Sequence, residues 1–203
     1  MLGAAVVLDS YNFKEELRDK KWNQLDVDAH GFLSQFADVG TQYWSRLNAA
    51  KFDVEGALKL GLRGIFTRDY KCYELKDGLK GCAVATASFA TLLGHFGKEA
   101  VADEIEKLIE ERGLSLFSAI TIENDNSGQL SKGLVVYQPP KRVTALTEKY
   151  DDILALVEST VDMQLSGKTV VDFEKHGSQA TYFSVGNNRY SRKAYEAVIK
   201  AKF

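Results

Sequence analysis

Two strand-like runs near the middle of the chain decide its fold: Leu116–Glu123 (LFSAITIE) and Gly133–Gln138 (GLVVYQ). Both are rich in β-branched and aromatic residues, and the segment Asn124–Gly128 (NDNSG) between them consists of turn-forming residues. Strand-forming runs separated by such a segment are typical of a β-hairpin. We therefore predict a hairpin here, ended by the prolines at 139 and 140, which cannot continue a sheet ladder.

The same order of elements follows once more toward the C-terminus. Apolar residues keep helical spacing from Val143 to about Gln164. A second pair of strand-like runs, Thr169–Glu174 and Ala180–Val185, comes next, and Ser191 then stands where a helix N-cap is expected. Two hairpins, each followed by a helix, predict a small antiparallel sheet of hairpins with packed helices in the C-terminal half.

The N-terminal half is dominated by helical patterns. A stripe of apolar residues from Val101 to Ile109, with Glu and Lys on the other face and Gly113 after it, predicts an amphipathic helix. The preceding segment, Cys82–Phe96, is apolar or small on every side, which favours a buried central helix. Together these patterns predict an α+β fold with a helical N-terminal half.

Composition limits the classes of protein to which the chain can belong. It has 203 residues, of which 45% are apolar and 27% charged, and no Pro/Gly/Ser-rich linker divides it, so we predict a single domain over residues 1–203. No run of eighteen apolar residues occurs, so no membrane span is expected. A net charge of −2 gives no general case for nucleic acid binding. The two cysteines, Cys72 and Cys82, favour free thiols in a reducing, cytoplasmic setting.

The residue patterns required for several chemistries are missing from the sequence. It has no glycine-rich phosphate loop, no nucleophile elbow and no Cys/His pairing at zinc spacing. The segment that begins at Glu123 resembles a calcium loop in composition, but its twelfth position is Leu134, where a bidentate carboxylate is required. We therefore predict neither a metal nor a cofactor.

Cys82 is the candidate nucleophile, because a thiol at a helix N-terminus has a lowered pKa. The stretch Cys82–Gly97 resembles the nucleophile helix of papain-like bacteriocin-processing cysteine peptidases. That resemblance implies a cysteine hydrolase in which His176 is the base and Asn187 or Asn188 orients it. The residues before and after the cysteine differ from the family pattern, and a buried structural cysteine is the commoner role of this residue type. Both interpretations stay open from the sequence.

A second resemblance covers more of the chain. The segments Gly64–Asp69, Gly81–Ala87 and Ile122–Asp125 are similar in order to small uncharacterised proteins of phages and their bacterial hosts. Those proteins carry a Cys-Ala-Leu-Gly-Ala-like helix start and an Asn-Asp pair some forty residues later. The resemblance implies a compact helical core whose Asn-Asp pair caps or turns the chain, and it implies no known activity. If the protein is phage-encoded, its expected location is the host cytoplasm.

The basic residues of the C-terminus form the candidate binding surface. They are interspersed with aromatic residues, and the set consists of Arg189, Arg192, Lys193, Lys200 and Lys202. Such a surface can meet phosphate groups or an acidic protein surface, whereas its plainer interpretation is a solvated helix face. Arg189, Arg192 and Lys193 are the residues that we single out for binding.

Three hypotheses of function follow from these observations. The favoured one is a non-enzymatic binding or regulatory protein, phage-encoded if the second resemblance holds, whose partner is another protein. The second is a cysteine hydrolase that uses Cys82 and His176. The third is a structural subunit of a larger assembly such as a virion, and a homo-oligomer is compatible with the first and third.

Overall fold

The structure is a computed structural model that describes residues 2–19, 21–36, 43–51, 53–124, 130–140, 149–187 and 190–203. The chain divides into two compact units, Met1–Gly56 and Ala57–Phe203, and each is described by itself. Within the described residues the structure has nine α-helices and six β-strands and is an α+β protein.

The first unit is helical. It contains α1 (Leu2–Asp9), α2 (Gln24–Leu33) and α3 (Trp44–Lys51), and α1 packs against the other two. Asn23 begins α2 with a capping box, in which its side chain accepts from the Leu25 amide and Asp26 accepts from the Asn23 amide. This reciprocal arrangement satisfies amide groups that the first turn of a helix leaves without partners.

The second unit contains all six strands and most of the remaining helices. The short helix α4 (Val54–Leu58) spans the boundary between the units. The other helices are α5 (Gly61–Arg68), α6 (Phe89–Phe96), α7 (Lys98–Arg112), α8 (Tyr150–Ser159) and α9 (Arg192–Lys202). The strands are β1 (Tyr70–Glu74), β2 (Lys80–Thr86), β3 (Leu116–Asn124), β4 (Leu130–Gln138), β5 (Leu165–Phe173) and β6 (Ser178–Val185).

The six strands form one mixed sheet in the order β1-β2-β3-β4-β6-β5. β2 and β3 are parallel, and every other neighbouring pair is antiparallel. A parallel pair needs a long crossover, and α6 and α7 supply it. The α+β class is confirmed. The small antiparallel sheet predicted for the C-terminal half is part of a larger mixed sheet, because β1 and β2 of the first half extend it and β2 pairs in parallel with β3.

Helices cover both faces of the sheet. On one face, α7 contributes Ile105 and Leu108 to a core that also contains Phe117 and Tyr137 of the strands. The opposite face packs against α8 and α9, whose contributions include Ile153, Tyr195 and Ile199. Successive residues of each central strand therefore enter different cores, as the alternation of side chains along a strand requires.

The predicted central helix over Cys82–Phe96 was wrong. Residues 80–86 form strand β2, and helix α6 begins only at Phe89 after the Ser88 side chain caps it. Cys82 and Val84 enter one core and Ala83 enters the other. A strand buried on both faces is apolar at every position, and in this respect it has the same composition as a buried helix.

Several local predictions are confirmed. Helix α7 ends at Gly113, whose left-handed φ of 60° suits glycine. β3 pairs with β4 and β5 with β6 in antiparallel fashion, as predicted, whereas the predicted turn over 125–128 lies outside the described residues. The Ser191 hydroxyl accepts from the Ala194 amide at the start of α9. Among the described residues, no helix is both long and apolar enough to cross a membrane.

Candidate anion-binding site

Arg192 is held against Asp69 at one corner of the sheet. Its guanidinium lies 2.6 Å from the Asp69 Oδ1 atom and also donates to the Asp69 main-chain oxygen. The Arg192 side chain is 20% exposed, so it still reaches solvent. The contact joins the first turn of α9 to the residue that precedes β1.

Two further cations lie at the same corner. Lys71 follows Asp69 by two positions on β1, which corresponds to about 7 Å along a strand. Lys71 and Tyr73 are two positions apart on the strand, so their side chains lie on the same face of the sheet. Tyr73 packs in the same core as Tyr195 of α9, which places Lys71 on the α9 face. Lys193 is exposed in the first turn of α9. Within the part of the chain that the structure describes, neither lysine makes an ion pair.

A third lysine approaches from the centre of the sheet. Lys132 of β4 donates from Nζ to the main-chain oxygen of Tyr190, 2.9 Å away, two residues before Arg192. The Tyr190 hydroxyl is buried and has no hydrogen-bond partner among the described residues. Burial, together with the nearby Asp162 carboxylate, raises the pKa of Tyr190 to about 12, so this side chain stays neutral at physiological pH.

The electrostatics of the corner favour an anion. The amide groups of the first turn of α9 carry a partial positive charge, which adds to the charges of Arg192, Lys193 and Lys71. The Asp69 carboxylate neutralises one of these charges. We refer to Asp69, Lys71, Arg192, Lys193 and the first turn of α9 as the basic corner. Arg189, the third predicted binding residue, lies outside the described residues.

Cys82 is enclosed in the core and not at a helix N-terminus. It is 0% exposed, and desolvation by burial raises the pKa of its thiol far above the ordinary value. A hydrogen bond from the Ser118 amide acts in the opposite direction but is the smaller influence. A buried thiol of this kind is a poor nucleophile.

The other two members of the predicted catalytic triad lie in different surroundings from Cys82. Both ring nitrogens of His176 face carboxylates of α7: Nδ1 lies 3.2 Å from Glu106, and Nε2 lies 3.4 Å from Glu99 and from Asp103. The Asn187 side-chain amide donates to the main-chain oxygen of Asp162 at 2.7 Å. The structure thus brings His176 to the acidic face of α7, and the described contacts of its ring do not include Cys82.

A buried polar network around Tyr137 was missed by the sequence reasoning. The Tyr137 hydroxyl lies 2.8 Å from the Glu106 carboxylate and 2.7 Å from the Ser178 hydroxyl, and Glu106 also contacts His176. An adjacent open cleft of about 440 Å³ is lined in part by Gln138, Asp172 and Glu174. The carboxylates of Asp172 and Glu174 make these surroundings acidic, which disfavours an anionic ligand here. No sequence signal singled out Tyr137, because a tyrosine in a buried strand is ordinary core material.

Among the described residues, no group of three or more His, Cys, Asp or Glu side chains is arranged to hold a metal ion. The carboxylates of Glu99, Asp103 and Glu106 surround the His176 ring, so that each ring nitrogen has an acidic neighbour. The basic corner, with three cationic side chains and one helix N-terminus, is the more suitable place for a ligand.

The comparisons with known proteins bear on the fold. No family model matches the chain, and no curated protein matches its sequence. A crystal structure from Methanococcus jannaschii, of a protein assigned to the family II inorganic pyrophosphatases, is similar with a TM-score of 0.53 and 14% identity. The match covers 98% of this chain and 54% of that one, so the chain spans about half the length of this neighbour. At this identity the likeness concerns the fold alone.

Proposed function

We propose that the unit formed by residues 57–203 binds a phosphate-bearing anion at the basic corner, and that it acts as a binding module. The observation that carries this proposal is the contact of Arg192 with Asp69, which fixes a guanidinium at the end of the sheet where Lys71 follows Asp69 on β1 and Lys193 follows Arg192 on α9. Guanidinium groups bind phosphate oxygens in a bidentate manner, and lysines add charge without demanding one geometry.

The similar crystal structure from Methanococcus jannaschii supports the choice of a ligand with more than one phosphate group. Its name refers to inorganic pyrophosphate, a compact polyanion. Several cations at one corner suit such a ligand better than they suit a carboxylate, because two linked phosphates present charge to more than one side chain at once. The activity of the neighbour belongs to that protein, and this chain spans only 54% of its length.

The surroundings of the candidate nucleophile support binding over cleavage. Cys82 is enclosed, with the pKa of its thiol raised by burial, and the ring nitrogens of His176 face Glu99, Asp103 and Glu106. The basic corner, in contrast, offers positive charge at the surface, and its carboxylate, Asp69, is paired with Arg192. A module of this kind supplies affinity and orientation for a phosphate ligand.

The proposal is tested by calorimetric titration of the whole chain with sodium pyrophosphate and with tripolyphosphate. We expect binding that weakens as salt is added, because the corner is partly exposed and its charges are screened. Arg192→Gln is expected to weaken pyrophosphate binding by about tenfold, and Lys71→Gln and Lys193→Gln by roughly threefold each.

Lys202→Gln is the matched control, because it removes the same charge from the opposite end of the same helix. Its affinity for pyrophosphate should equal that of the unchanged chain. Equal losses from Lys202→Gln and Lys193→Gln would indicate that only net charge matters and would contradict a localised site. A protein partner, a homo-oligomer and a place in a larger assembly stay predictions, which native mass measurement of the untagged protein tests.

A further inference from the structure

The two cysteines face each other across the edge of the sheet. Cys72 of β1 is the register partner of Cys82 of β2, in an antiparallel pair. Directly opposite residues of neighbouring strands project to the same side of a sheet. Their spacing depends on whether the pair is a hydrogen-bonded or a non-hydrogen-bonded one, because the side chains approach more closely in the second kind.

Hydrogen bonds beyond both ends of the ladder determine which kind of pair this is. The Ala85 amide donates to the Asp69 carbonyl at 3.2 Å, and the Leu75 amide donates to the Leu79 carbonyl at 2.8 Å. These two pairs continue the same register as Cys72 with Cys82, and each lies an odd number of positions away from it. Since the two kinds of pair alternate along an antiparallel ladder, Cys72 and Cys82 form a non-hydrogen-bonded pair.

This geometry is suitable for a covalent bond. In a non-hydrogen-bonded pair the Cα atoms are about 4.5 Å apart, within the range of roughly 4.4–6.8 Å that disulfides span. The two residues are free thiols in the structure, and their exposures differ: Cys72 is exposed, whereas Cys82 is enclosed. β1 is an edge strand, so a dissolved reagent can approach Cys72 without passing through the core.

We propose that Cys72 and Cys82 are a thiol modification site at which a disulfide-type oxidant produces a cross-strand disulfide between β1 and β2. The Cys72 thiolate attacks one sulfur of oxidised glutathione, whose S–S bond breaks and releases one glutathione thiolate. Cys82 is a poor nucleophile toward dissolved reagents, but the Cys72 sulfur of the mixed disulfide lies directly opposite it, so the second step is intramolecular. Cys82 loses its proton, attacks the Cys72 sulfur and releases a second glutathione thiolate. Two protein thiols are oxidised, one glutathione disulfide is reduced to two thiols, and the two protons transfer to the released glutathione.

The disulfide would be a covalent cross-link at the edge of the sheet. β1 is held by a single neighbouring strand, and it carries Lys71 next to Cys72. A bond to β2 restrains the strand from separating. The inference depends on the strand register and not on the proposed phosphate site, so it stands or fails independently of that proposal.

The experiment incubates the folded, reduced protein with oxidised glutathione, blocks free thiols with excess N-ethylmaleimide in urea at near-neutral pH, and analyses tryptic peptides without reduction. We expect a transient glutathione adduct at Cys72, followed by recovery of the peptides Cys72–Lys76 and Gly81–Lys98 as one disulfide-linked species. Intact mass should fall by two hydrogens, with no dimer.

The matched control is the double variant Cys72→Ser with Glu74→Cys, which keeps Cys82 and moves the exposed thiol two positions along the same face of the same strand. Position 74 is diagonal to Cys82, at about 7–8 Å, beyond disulfide reach. Ring closure should be at least about tenfold slower in this variant. The proposal is overturned if the native protein keeps the glutathione adduct at Cys72 and leaves Cys82 free, while the urea-unfolded protein forms the Cys72–Cys82 disulfide. Equal closure rates in the two folded proteins also overturn it.

Discussion

Arg192 and Asp69 are 123 positions apart in the sequence, and the Arg192 guanidinium contacts both the main-chain oxygen and the carboxylate of Asp69. The contact fixes the N-terminus of α9 beside the start of β1, so that residues from the two ends of the second unit share one surface. It also means that the charge of Arg192 is partly neutralised in the absence of a ligand, while its position is set by a main-chain atom that no side-chain substitution removes.

Because of this geometry, substitutions of Asp69 and of Arg192 are expected to change pyrophosphate affinity in opposite directions. Asp69→Asn should strengthen pyrophosphate binding by about two- to fivefold, because it removes a competing negative charge while the Asp69 carbonyl still holds Arg192. Arg192→Gln should weaken binding. Both affinities are measured by calorimetry at low and high salt. If Asp69→Asn weakened binding as much as Arg192→Gln does, the carboxylate would be organising the site, contrary to this account.

Cys82 is predicted to stabilise the core through packing and not to serve as a hydrolytic nucleophile. Cys82→Ser should lower the free energy of unfolding by about 1–3 kcal/mol, because it places a hydroxyl in an apolar core, whereas Cys72→Ser should change it by less than about 0.5 kcal/mol. Urea denaturation followed by circular dichroism measures both values. Pyrophosphate binding by a folded Cys82→Ser protein should be unchanged, and its outright loss would contradict a purely structural role for Cys82.

Stability is predicted to fall at alkaline pH through buried tyrosines such as Tyr150. Its hydroxyl donates to the Val136 carbonyl at 2.9 Å and lies 3.0 Å from the Thr181 hydroxyl. Burial raises the pKa of Tyr150 from the ordinary 10.0 to about 12. Because the folded pKa is the higher one, the stabilising contribution is complete below pH 10 and is lost between pH 10 and about 12.

The variant Tyr150→Phe isolates this contribution. At pH 7 it should be less stable by about 1 kcal/mol, because the hydrogen bonds are lost. Between pH 10 and about 12 its stability should decline less steeply than that of the unchanged chain, by up to about 1.4 kcal/mol per pH unit. Urea midpoints measured across this range test the prediction, and identical slopes for the two proteins would contradict it.

Nucleic acid is predicted not to be a ligand. If all five basic side chains of the C-terminal cluster bound duplex DNA, affinity would depend on salt with a log–log slope of up to roughly −4. We expect no salt-sensitive shift with duplex DNA in electrophoresis at low ionic strength. A shift that disappears when Arg189, Arg192 and Lys193 are neutralised would show that the cluster reads a polynucleotide backbone.

The local elements of this protein could be predicted from the sequence because their signals are local. The apolar stripe before Gly113 correctly predicted α7, and Ser191 correctly predicted the N-cap of α9. The hairpin strands followed from β-branched runs next to turn residues. In each case the interactions that stabilise the element join residues only a few positions apart.

The role of residues 80–86 could not be predicted in this way. Cys82 lies in a run that is apolar at every position, and such a run suits a buried helix and a doubly covered strand equally. The choice was made by β3, which pairs with β2 in parallel, and by helices that cover both faces of the sheet. The secondary structure of this segment is therefore a property of its surroundings.

By itself the sequence determined the α+β class, the amphipathic helices, the hairpin strands and the identity of the cations near the C-terminus. Only the tertiary structure decided that Arg192 meets Asp69, that His176 faces α7, and that Cys72 stands opposite Cys82 in a non-hydrogen-bonded pair. The physical reason is that strand register and helix docking are set by the burial of whole faces, which depends on residues distant in the chain.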